Sequence, residues 1–215
     1  MDVVLYIHGK DGSAEEAEHY KTIFSSCDVI GFDYKSFTPW ETREEIREEI
    51  STLKSSYNKV ILIANSVGAF FSMNAGIDED IDQAYFISPI VNMEKLIMNM
   101  MHWADVTESE LQEKGYIHTN FGEELSWEYL CYVKDNPIKW NATTHILYGN
   151  RDNMTLIDTI TTFAENHNAD LTIMEDGEHW FHTEEQMRFL DDWIKGIQKD
   201  TDNEIEKYSD RYKRY

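Results

Sequence analysis

The sequence is short of cysteine, proline and positive charge, and each shortage removes a class of protein. Its two cysteines, Cys27 and Cys131, lie far apart and in no Cys-x-x-Cys spacing. A disulfide framework and a cysteine-built metal site are therefore excluded, and a reducing, cytoplasmic compartment is expected. Lysine and arginine number 19 against 41 aspartates and glutamates, a net charge of −22. Nucleic acid and anionic membrane surfaces would repel such a chain. With only three prolines and ten glycines, no low-complexity linker divides it, and it has no internal repeat. No apolar run approaches the roughly 20 residues that span a bilayer. No basic region precedes the first apolar run, and no small-residue cleavage site follows it.

What remains is a 215-residue chain with 41% hydrophobic residues, enough for one domain with a good-sized core. Short apolar runs alternate with helical patterns. Val3–Ile7 reads as a strand, followed by a helix in which Ser13 and Glu16 form a capping-box pattern. A strand over residues 28–33 precedes a helix opened by Thr38, Pro39 and Glu41. Strands near residues 60–64, 84–88, 144–148 and 171–174 alternate with helices near 67–75 and 155–167, and a last helix opens at Thr183, boxed by Gln186. This order predicts an α/β fold with a doubly wound, mostly parallel sheet of about six strands. Between residues 89 and 140 the alternation breaks down into a Met- and Trp-rich stretch, with helix starts near Thr107 and Ser126. The expected organisation is a core of residues 1–88 and 141–199, a helical cap of residues 89–140 inserted after the fourth strand, and an exposed extension from 200 to 215.

The chain is organised around Val60-Ile61-Leu62-Ile63-Ala64-Asn65-Ser66-Val67-Gly68. A buried strand passes into a helix through one serine, flanked two residues away on each side by Ala64 and Gly68. Small residues are needed there because strand and helix nearly touch. A capping serine in a plain strand-to-helix turn would read almost the same. Two further loops follow strand ends: Gly149-Asn150-Arg151-Asp152, and Glu175-Asp176-Gly177-Glu178-His179. An activated serine needs a base in hydrogen-bond reach and a group to orient that base. In parallel sheets such residues gather at the carboxyl ends of the strands.

Ser66, Asp152 and His179, in that order, make the chain resemble the α/β-hydrolase family, in its serine-aminopeptidase or lysophospholipase-like branch. The departures are Ala64 for the usual glycine, a compact N-terminus, and Lys10 where apolar residues or glycine are commoner. The resemblance implies a cofactor-independent serine hydrolase acting on a small ester, thioester or amide. Ser66 would be the nucleophile, His179 the base and Asp152 its orienting acid. The backbone N–H groups of Lys10 and Val67 would form the oxyanion hole, with His8 a structural residue of the preceding turn. His182 is a rival base, and His179-x-x-His182 beside Glu178 a rival metal pair, although the Thr183 cap places both in a loop. No metal is expected. The cap is expected to roof the acyl pocket, with Met98 and Trp103 in contact with substrate; these residues packing only on one another is the alternative. Acyl transfer, carbon–carbon bond hydrolysis and a non-catalytic ligand-binding protein stay open, because fold and triad do not fix the substrate. The expected partner is a small molecule, with no nucleic acid or membrane, and a homodimer is left open.

Overall fold

The structure is a computed structural model that describes the backbone of residues 1–212 and the side chains of residues 1–201. The chain opens with β1 (Asp2–Ile7), a three-ten helix (Ala14–Thr22) and β2 (Cys27–Phe32). It continues through α1 (Pro39–Ser56), β3 (Val60–Asn65), α2 (Val67–Ala75) and β4 (Gln83–Ile87). An insertion carries α3 (Met93–Trp103), α4 (Glu108–Lys114), the short strands β5 (Tyr116–His118) and β6 (Glu124–Ser126), and α5 (Trp127–Asp135). The chain then returns to the sheet with β7 (Thr144–Gly149), α6 (Ile157–His167), β8 (Asp170–Met174) and α7 (Glu184–Tyr212).

The large sheet has six strands in the order β2-β1-β3-β4-β7-β8, and every pairing is parallel. Strands such as Val3–Ile7 and Leu62–Ala64 are fully or almost fully buried, as a sheet covered on both faces requires. One apolar layer joins the sheet to α1, α2, α6 and the insertion; the other joins it to the three-ten helix and α7. The strand order reverses between β1 and β3. That switch opens a crevice at the carboxyl ends, where ligands bind in open α/β sheets.

Three elements depart from the sequence-based expectation. The helix after Ser13 is a three-ten helix, and Ser13 makes no side-chain cap. Its would-be box partner Glu16 instead accepts from the Tyr6 hydroxyl, and Asp33 takes the Ala14 N–H at 2.6 Å. The insertion is not purely helical, because β5 and β6 pair as an antiparallel hairpin. Its buried residues Leu111, Leu125 and Leu130 join the same apolar cluster as α1 and α2. Finally, α7 continues through Thr201 to Tyr212; Asp200 and Thr201, which open that extension, are exposed, and its other side chains lie outside the described residues.

Candidate active site

Ser66 is the only residue between β3 and α2. Its φ of 52° and ψ of −118° form a strained conformation for a residue with a Cβ. The strain is held by the backbone: Ser66 N–H donates to Ile87 O at 3.0 Å, and Ser66 O accepts from Ile90 N at 3.1 Å. A Cβ on Gly68 would lie 2.4 Å from His8 O and 2.6 Å from Ile7 O. Only glycine lets α2 start this close to the end of β1. The Ser66 side chain makes no cap hydrogen bond. Its Oγ lies 2.8 Å from His179 Nε2 instead.

Asp152 serves two neighbours on separate oxygens. Oδ1 accepts the N–H groups of Met154 at 2.7 Å and Thr155 at 3.0 Å, a local turn of the kind aspartate favours. Oδ2 lies 2.7 Å from His179 Nδ1, and the Asp152 side chain is completely buried. With Nδ1–H given to Asp152, the Nε2 lone pair faces Ser66. The acid turn and the histidine loop are also tied to each other. Arg151 N–H donates to Gly177 O at 2.8 Å, and Asp176 N–H to Asn150 Oδ1 at 2.8 Å. A Cβ on Gly149 would fall 2.3 Å from Gly177 O, so the two loops touch backbone to backbone.

The turn after β1 lies on the other side of the serine, where a Cβ on Gly9 would stand 3.2 Å from Ser66 Cβ. Among the described residues, neither Lys10 N–H nor Val67 N–H donates to a protein acceptor. Val67 opens α2, where the helix dipole adds positive potential. His8 is buried beneath this turn, with Nδ1 2.7 Å from Gly9 O and its ring stacked on Tyr34 at 4.3 Å. The Tyr34 hydroxyl, kept protonated by burial, donates to Gly9 O at 3.2 Å and His8 O at 3.3 Å. Tyr34 has no motif around it, and nothing in the sequence singled it out.

Ser66, Val67 and Lys10 open onto a cleft of about 470 Å³. Met93, Leu96, Ile97 and Met100 of α3 wall one side; Phe71, Ile90 and Tyr129 line others. The expectation for Met98 and Trp103 is corrected here, because neither lines this cleft, and they are 38% and 50% exposed. With 3.6 residues per turn, the face carrying Met93, Ile97 and Met100 turns Met98 to the far side. Trp103, in the last turn, packs edge-on against Phe121 at 6.3 Å. Lys10 forms an ion pair with Glu123 beside the hairpin, joining the turn after β1 to the insertion.

His182 stands apart from Ser66: its Nδ1 lies 2.7 Å from Trp180 O, and its ring stacks on Trp180 at 4.5 Å. Glu178 is 3.7 Å from His182 Nδ1. Among the described residues, no group of three or more His, Cys, Asp or Glu side chains is gathered as for a metal ion. No described helix is long and apolar enough to cross a membrane.

The parallel sheet, the serine turn and the loops after β7 and β8 define the class: this is an α/β-hydrolase fold. Solved structures share it. Est1E from Butyrivibrio proteoclasticus superposes with a TM-score of 0.73 at 13% identity, over 93% of this chain and 87% of its own. Alpha/beta hydrolase domain-containing protein 10 from mouse gives 0.72 at 14%, over 93% and 90%. The Pyrococcus furiosus esterase PF2001 gives 0.60 at 17%, over 92% and 80%. Within that fold, residues 3–209 match the family described as Uncharacterised protein family (UPF0227), and the chain belongs to it. No curated protein matches the chain in sequence.

Proposed function

We propose that this protein is a serine hydrolase that cleaves carboxylic esters with an apolar acyl group, through an acyl-enzyme on Ser66. The observation that carries this reading is the unbroken relay from Ser66 Oγ to His179 Nε2 at 2.8 Å, and from His179 Nδ1 to Asp152 Oδ2 at 2.7 Å. Ser66 Oγ attacks the ester carbonyl carbon as its proton passes to His179 Nε2. The carbonyl oxygen becomes an oxyanion, met by the N–H groups of Lys10 and Val67. The carbon–oxygen bond to the alcohol then breaks, and His179 returns the proton to the leaving oxygen. Water repeats the cycle and releases the acid. Asp152 fixes the imidazole tautomer and stabilises the imidazolium at each stage.

The cleft supports the choice of acyl group. Its walls beside Ser66 are mostly aliphatic and aromatic, and its one ammonium, Lys10, is engaged by Glu123. A charged acyl tail entering it would lose hydration without gaining a partner. The neighbour named as an esterase favours the ester over the amide. The test is turnover of nitrophenyl esters from acetate to decanoate, with an acyl thioester and an anilide alongside. Esters should turn over, and Ser66→Ala should reduce the rate by roughly 10³-fold or more. A folded wild type inert on all three chemistries would overturn the hydrolase reading.

A further inference from the structure

We infer that the substrate's acyl chain, otherwise apolar, carries one neutral oxygen that accepts a hydrogen bond from the Tyr129 hydroxyl. This deepens the hydrolase reading of the cleft and rests on it. Tyr129 stands in the first turn of α5, where Ser126 caps the helix by accepting the Tyr129 N–H at 3.2 Å. Its ring meets Trp40 edge-on at 6.2 Å, and both residues line the cleft onto which Ser66 opens. Among the described residues the Tyr129 hydroxyl has no hydrogen-bond partner, and it is not sealed inside the protein. Burial holds it above the ordinary tyrosine pKa, with Tyr34 and Tyr132 adding to the shift, so its proton stays available for donation.

The other polar side chains of the cleft are engaged or stand in solvent. Ser66 Oγ faces His179, and Lys10 pairs with Glu123. Thr38 Oγ1 donates to Glu41 at 2.6 Å, and Glu124 lies 3.2 Å from His118 Nδ1. Tyr116 is 54% exposed, so its hydroxyl keeps its hydration. Water can serve the Tyr129 hydroxyl in an open cleft, but an acyl chain that fills the space displaces that water. A plain hydrocarbon then leaves the hydroxyl buried and unpaired, whereas an oxygen at the right place restores the bond. That asymmetry lets a site select for an oxygen function rather than tolerate it. The oxygen is neutral, because a carboxylate would lose its hydration where the one ammonium, Lys10, is already paired.

The order of the sheet assigns Tyr129 to the acyl side. The leaving oxygen takes its proton from His179, so it stays on the side of β8, three strands from β3. Trp40 follows β2, two strands from β3 in the opposite direction, and Tyr129 packs against it. The group that extends away from His179 is the acyl chain. Phe71 and Val67 line the same cleft and give the rest of that chain its apolar contacts.

The test is an oxygen walk on the full chain: nitrophenyl octanoate, and its ether isosteres with oxygen in place of one methylene at each position from the third to the seventh. For each ester, kcat/KM of wild type is divided by that of Tyr129→Phe, which deletes only the hydroxyl. The ratio cancels the oxygen's inductive effect on the carbonyl, and octanoate sets the reference. At one position, or two adjacent ones, the ratio should exceed that for octanoate by about 5-fold, the scale of one hydrogen bond. Wild type alone gives a second reading. Its rates divided by those of alkaline hydrolysis should peak at the same position, since the inductive effect only declines with distance. Equal ratios for every ester, or no such peak, would overturn the inference while the turnover of octanoate keeps the hydrolase reading. A wild type that cleaves no ester of the series would overturn both.

Discussion

Asp152 shows how one side chain can satisfy two readings of a sequence. An aspartate after a strand is ordinarily a turn residue, and Oδ1 does that work with Met154 and Thr155. Oδ2 is left to face His179. Asp152→Asn should therefore separate the roles. The amide oxygen can still accept the two turn N–H groups, while its NH₂ cannot hold Nδ1–H of the neutral imidazole. Ester turnover should fall by roughly 10³- to 10⁴-fold, with the melting temperature nearly unchanged by calorimetry. A matching loss of stability and activity would mean that the aspartate serves the turn alone. At this scale, Ser66, Asp152 and His179 were legible because each sits in a loop that follows a strand, in a recognisable order. Tyr34 was not, because its contact with the Gly9 carbonyl joins segments whose proximity only the folded sheet creates.

The helix starts in the insertion were readable because capping is local: Thr107 and Ser126 both cap, at the predicted positions. The phase of α3 was not readable. Its methionines are spread around the helix, and which of them face inward depends on where the helix lies over the cleft. The structure turns Met100 to the cleft and Met98 away from it. Met100→Ala should shift the preference between short and medium acyl chains by about 10-fold, the scale of one or two methylenes in an apolar pocket. Met98→Ala should leave that preference as in wild type. A change of chain-length preference on Met98→Ala, with none on Met100→Ala, would reverse the assignment. The paired strands β5 and β6 escaped the sequence reading because three-residue strands carry too little alternation to register. The three-ten helix was misread as a regular capped helix, since the bond from Tyr6 to Glu16 comes from another element.

For the molecule as a whole, alternation along the chain was enough to give the layered sheet, and the strand order follows from right-handed crossovers around one switch point. Charge at this scale has a consequence for acid stability. Burial depresses the His145 pKa below the ordinary histidine value, with Asp170 opposing the shift. The folded state therefore holds the proton less tightly than the unfolded chain. Its contribution is fully present above the unfolded value of about 6.5 and is lost as pH falls through it towards the folded value. Melting temperatures taken between about pH 7.5 and pH 5 should fall more steeply for wild type than for His145→Gln. Parallel slopes would remove His145 from the account.

The central claim is that this fold activates one particular hydroxyl. Intact-protein mass spectrometry after exposure to a fluorophosphonate reads that directly, since the probe bonds to a serine oxygen that gives up its proton to a neighbouring base as it attacks beside an oxyanion hole. The wild type should gain one adduct, mapped to Ser66. His179→Ala should label far more slowly, His182→Ala should label as wild type, and Ser66→Ala should stay unmodified. An adduct that persists in Ser66→Ala, or a folded wild type that takes up no probe, would contradict the account.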